Sequence, residues 1–173
     1  MTRKELSELI KNFIKITTQA YENKEIKGYQ AEIKKLVKNK KYRGYSIDAS
    51  IGMGSLINLN KNLPWIIFLQ KGHKASKGFY PTLAFHPEKK YVIIKLGISD
   101  TDEHECLKYN YEKINKINKK FEIKIENIDK NFEEKLEQIV YQIDKIIDES
   151  KKSIVYNCEE TEDKTKNNKI KSS

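Results

Sequence analysis

Two cysteines and three prolines are all that the 173 residues contain. Cys106 and Cys158 are too few and too far apart for a disulfide framework or a zinc module. No apolar run approaches the ~20 residues that a membrane-spanning helix needs. The opening MTRKELSELIKNF carries no apolar block of the secretory type. A soluble cytoplasmic chain without membrane contact is expected. Catalytic signatures are also scarce. GxxxxGK[ST] does not occur, so nucleotide hydrolysis through a P-loop is excluded. Gly52-Met53-Gly54 lacks the third glycine of a dinucleotide fingerprint. His73, His86 and His104 share no metal-ligand spacing. No cofactor and no bound metal are expected.

What is abundant is lysine. Of 34 cations only Arg3 and Arg43 are arginine, and the formal net charge is +9. The first 98 residues hold a net +12, residues 99–158 a net −3, and the last fifteen balance. A basic half of this kind suits a polyanion such as nucleic acid, and equally suits a well-solvated surface. Lysine neutralises phosphate as a point charge but lacks arginine's two-pronged fit to guanine. Lys38, Lys40, Lys41 and Arg43 could extend such a basic surface.

With 38% hydrophobic residues a core can form. Apolar residues at helical spacing predict helices over 3–22, 29–40 and 131–152, with helical texture resuming from about 104. Between them lie short apolar runs at 45–51, 65–69, 80–85 and 91–98, punctuated by Gly and Pro, which predict strands. His86-Pro87-Glu88-Lys89-Lys90 reads as a hairpin loop. The expected fold class is α+β, a curved and mainly antiparallel sheet in mid-chain flanked by N-terminal and C-terminal helices. Residues 1–156 read as one domain, and 157–173 as a polar tail or linker.

One stretch is more specific than the rest. Residues 52–101 read GMGSLINLNKNLPWIIFLQKGHKASKGFYPTLAFHPEKKYVIIKLGISDT. The skeleton is Gly-x-Gly, Pro-Trp-x-x-Phe-Leu, Gly-x-x-Ala-Ser-x-Gly-x-Tyr-Pro and Gly-Ile-Ser-Asp-Thr. It resembles the N-terminal DNA-binding domain of McrB, the specificity subunit of the McrBC modification-dependent restriction system. The resemblance implies a non-enzymatic reader of duplex DNA. It would flip 5-methylcytosine, or a related modified cytosine, into a pocket without doing chemistry on it. It also implies, as partners, an AAA+ GTPase motor, fused or in trans, and a McrC-like nuclease subunit. The fragment itself is expected to be monomeric.

Residue chemistry fits that expectation. Trp65 and Tyr80 offer faces on which a flipped base can stack, worth ~1–3 kcal/mol per base, although Trp65 beside Pro64 also reads as core. The family's pocket leucine falls on Ala84, with Leu83 and Phe85 beside it, which implies a roomier pocket. Met53 between Gly52 and Gly54 stands where the family places an aromatic that enters the duplex, and apolar wedges do that work elsewhere. Ser55, Lys71, Lys74, Ser76 and Lys77 are candidate phosphate contacts. Ser99, Asp100 and Thr101 end a strand, and Asp100 can accept from a cytosine amino group or close a turn. Two other classes stay open. One is a metal-dependent nuclease using Asp100 or Asp102 with Glu122 and Lys124; the other is a protein-interaction module.

Overall fold

The computed structural model describes residues 1–52, 62–71, 73–74, 79–98, 121–125 and 131–153. Helix α1 (Arg3–Asn23) starts at a capping box. The Thr2 hydroxyl accepts from the Glu5 N–H at 3.1 Å, and the Glu5 carboxylate accepts from the Thr2 N–H at 3.2 Å. Those bonds hold the Glu5 carboxyl below its ordinary pKa. Lys24, in the left-handed conformation, ends the helix. Helix α2 (Lys27–Val37) follows. Leu6, Ile10, Phe13 and Ile14 of α1 and Ile33 and Val37 of α2 are buried at helical spacing.

Six strands come next: β1 (Lys41–Tyr42), β2 (Tyr45–Ser50), β3 (Trp65–Leu69), β4 (Phe79–His86), β5 (Tyr91–Ile98) and β6 (Phe121–Lys124). They form one sheet in chain order, every neighbouring pair antiparallel. Helix α3 (Phe132–Ser153) closes the described fold. The α+β expectation holds, with an antiparallel sheet between N-terminal and C-terminal helices. Helical texture from about 104 does not hold at Phe121–Lys124. Phe121 and Ile123 alternate there with exposed Glu122 and Lys124, and the four residues pair with β5. The expected boundary at 156 lies outside the described residues. Among the described residues no helix is long and apolar enough to cross a membrane.

Each strand shows the helices one face. Ile47, Ala49, Ile66, Phe68, Leu83, Phe85, Val92 and Ile94 join the buried sides of α1, α2 and α3 in a single apolar cluster. Adjacent strand residues point to opposite faces, so Ser50, Trp65, Ile67, Thr82, Ala84 and Ile93 belong to the other side, called the outer face below.

Both arginines are used to hold this arrangement. Tyr42-Arg43-Gly44-Tyr45 is a two-residue hairpin with φ of 51° at Arg43 and 85° at Gly44, a turn whose twist matches that of the strands. From this turn Arg43 pairs with Asp144 (3.2 Å) and with Asp148 of α3. Arg3 reaches the other Asp144 oxygen at 3.3 Å. Asp144 thus ties α1, the first hairpin and α3 together, and Arg43 is not a free cation on a basic surface. The Tyr42 hydroxyl donates to Asp144 at 2.7 Å. Burial and this bond push Tyr42 up from 10.0 to about 12.

The fold therefore favours the neutral phenol. That contribution is fully present below pH 10 and is lost as pH rises toward 12. Tyr42→Phe should cost about 1–2 kcal/mol at neutral pH. Denaturant unfolding across pH 9–12 checks it: the gap between wild type and variant should narrow above pH 10, and a constant gap would contradict the assignment.

Candidate nucleic-acid interface on the outer sheet face

Strand register organises the outer face into rows. One runs Ser50, Trp65, Ala84, Ile93, Glu122, and the next runs Asp48, Ile67, Thr82, Lys95. Beyond them Tyr80 lies opposite Gly97. Ile67, Ala84 and Ile93 are buried at 2%, 9% and 8% exposure, yet none belongs to the core cluster. The outer face thus carries an apolar patch of its own. Trp65 and Tyr80, both half-buried, stand at two ends of the strip floored by Ile67 and Thr82. Along β4, Ala84 beside Trp65 and Tyr80 are four residues apart, about 13 Å at the usual strand rise. Side chains reaching inward from both ends leave room for a flat ring.

Tyr80 is seated by what its neighbour lacks. A Cβ at Gly97 would lie 2.5 Å from Thr82 Oγ1 and 3.0 Å from Tyr80 Cε2. The phenol ring therefore leans across bare backbone of β5. Pro81 contributes as well. The β3–β4 ladder ends at Ile67 opposite Thr82, and the next residue on β4, Pro81, has no N–H to extend it. The two strands part beside Tyr80.

Trp65 is held from α2. Lys34 Nζ lies 5.8 Å from the indole centroid and 2.9 Å from Asp48 Oδ1. The ammonium is thus shared between a carboxylate and an aromatic face. Nearby, Gln30 donates to Ser50 Oγ (2.9 Å) and accepts from the Ile51 N–H (2.8 Å). Ser50 Oγ also accepts from the Gly52 N–H at 2.8 Å. Gly52, with φ of 77°, turns the chain out of β2 in a conformation that favours glycine. The root of the loop carrying Met53 is fastened to α2 in this way.

At the end of β3, exposed Lys71 and Lys74 flank buried His73. His73 Nδ1 lies 3.1 Å from the Phe79 carbonyl oxygen, and its ring meets Phe79 edge to face at 5.1 Å. This ties the lysine-bearing turn to the first residue of β4, at the Tyr80 end of the strip. His86 lies at the opposite end of β4, its ring 5.0 Å from Tyr91. Burial, then nearby Lys89, lowers its pKa, so it stays neutral there.

Trp65, Tyr80 and Ala84 are therefore brought to one face, with Gly52 at the end of β2 and Lys71 and Lys74 at the Tyr80 end. Leu83 is not part of this site. It points the other way and is fully buried in the core, because neighbours on a strand cannot share a face. Met53, Gly54, Ser55, Ser76, Lys77, Ser99, Asp100 and Thr101 lie outside the described residues. Of the nuclease alternative, Glu122 and Lys124 are exposed on β6, while Asp100 and Asp102 also lie outside. Among the described residues no group of three or more His, Cys, Asp or Glu side chains gathers as a metal site.

Over 62 residues the chain is 34% identical to the type IV methyl-directed restriction enzyme EcoKMcrB subunit of Escherichia coli. It is McrB-like. The match takes in 36% of this chain and 13% of that protein's length. No family model matches.

Reading the sequence alone misses Gln30, Lys34, Asp48, Gly97 and Lys95. Gly97 was legible in principle, because a lone glycine inside a strand marks a close approach. Lys34 and Gln30 were not, since their contacts span 14 to 21 residues.

The seat of Tyr80 is open to test. Gly97→Ala should cost about 1–3 kcal/mol through overpacking, with part of the loss recovered by adding Thr82→Ala. Thermal melting reads both. A Gly97→Ala protein that melts with wild type would mean that the ring does not rest on β5.

Proposed function

We propose that this chain is the DNA-reading module of a restriction system and recognises a modified cytosine in duplex DNA by flipping it onto the outer sheet face. The observation that carries the reading is the common placement of Trp65, Tyr80 and small Ala84 on the face turned away from the helices. The McrB-like stretch and the basic first half of the chain support it.

The energetics ask for that arrangement. Extrusion costs a few kcal/mol of pairing and stacking. One aromatic contact returns ~1–3 kcal/mol, so a pair of rings is needed to offset the cost. Lys71 and Lys74, with Ser76 and Lys77, bind backbone phosphates at the Tyr80 end and set the register of protein on duplex. Met53 enters the stack where the base has left. Because a buried methyl contributes only about 0.8 kcal/mol, discrimination of cytosine from 5-methylcytosine depends on fit around Ala84. The bound base undergoes no reaction. A GTPase motor and a nuclease subunit act on the DNA thus marked.

Competition binding on otherwise identical duplexes carrying cytosine or a single 5-modified cytosine tests the reading. Wild type should prefer modified DNA, with affinity falling as salt rises. Trp65→Ala and Tyr80→Ala should each erase the preference, a loss of about tenfold or more, while weak salt-sensitive binding persists. Equal binding to modified and plain duplexes by wild type would refute the proposal.

A further inference from the structure

The outer face holds a cation that neither the core nor the ion pairs use. Lys95 is exposed on β5, opposite Thr82 and diagonal to both Tyr80 and Ala84, with Ile93 and Gly97 on its own strand. Its stem therefore rises beside the strip between Trp65 and Tyr80. It has no ion-pair or hydrogen-bond partner among the described residues. The acidic groups nearby are engaged elsewhere: Asp48 holds Lys34 at 2.9 Å, and exposed Glu122 has a contact of its own.

A methyl group gains nothing from such a neighbour, since an ammonium beside it loses water without finding an acceptor. An oxygen-bearing group gains a charge-assisted hydrogen bond, strengthened by the apolar surroundings of Ile67, Ile93 and Tyr80. Ala84 supplies the room. In the row from Trp65 to Ile93 it is the one side chain that ends at Cβ, and the space above it opens diagonally toward Lys95.

We infer that the preferred ligand of this face is a cytosine whose 5-position substituent is larger than methyl and ends in acceptor oxygen, held by Lys95. The inference rests on the base-flipping reading above, and names the substituent that the site selects. Lys95 acts as a specificity residue through direct contact with that substituent.

The test uses the full chain and four duplexes bearing, at one site, cytosine, 5-methylcytosine, 5-hydroxymethylcytosine or 5-carboxylcytosine. Wild type should bind 5-carboxylcytosine about tenfold tighter than 5-methylcytosine, the increment expected of one charge-assisted bond. Lys95→Met should remove that increment and leave 5-methylcytosine binding within about twofold. Ala84→Leu, by filling the space, should also favour 5-methylcytosine over the oxygenated bases. Lys95 is exposed, and the variant's retained binding to 5-methylcytosine reports that it is folded. Equal loss on all four duplexes would show Lys95 on a phosphate or on the base edge, and would overturn the inference. So would wild-type binding in which 5-methylcytosine equals or exceeds 5-carboxylcytosine. Either result leaves base flipping standing. Only a wild type indifferent to all four duplexes removes that as well.

Discussion

Every described helix buries its apolar side against the same face of one sheet, and the rest of the molecule follows from that asymmetry. With α1, α2 and α3 on one side, the core is complete without any outer-face residue. Ile47, Ile66, Phe68, Leu83 and Phe85 serve stability, while their strand neighbours Trp65, Thr82 and Ala84 are released from it. A strand can therefore carry a packing role and a binding role at alternate positions. Substitutions on the outer face alter recognition at little cost to the fold, which is the property a reader of variable DNA modifications needs.

Charge is divided along the same lines. Both arginines and the acidic residues Asp144 and Asp148 are spent on joining the N-terminal helix and first hairpin to α3. This suits arginine, whose planar fork can bridge two carboxylates from one turn. The lysines remain for the surface. Lys34 is the exception, paired to Asp48 while it also lies over the indole of Trp65. A residue that sequence alone would assign to a solvated helix face thus positions the aromatic group on which the proposed site depends.

Much of the fold was legible because the signals were local. The period of α1, and the apolar runs that became β3 and β5, needed nothing from distant residues. Short elements were not legible. Lys41–Tyr42 is too brief to alternate, and Phe121–Lys124 has only two inward residues in a stretch rich in lysine and glutamate. Leu83 was misassigned for a different reason. Both faces of β4 are buried, so Pro81 to His86 shows no alternation, and proximity in sequence passed for proximity in space. The seat of Tyr80 rests on an absence, the missing Cβ of Gly97, whose meaning depends on a cross-strand register that no sequence pattern states.

Trp65 is the chain's only tryptophan, so its fluorescence reports directly on the face where the base is proposed to stack. Titrating the protein with a duplex bearing one 5-modified cytosine, and with its unmodified twin, is the most direct test of the central claim. The account expects strong, saturable quenching with the modified duplex alone, and none of that difference after Tyr80→Ala. Identical traces for the two duplexes, or binding that leaves Trp65 emission unchanged, would contradict it.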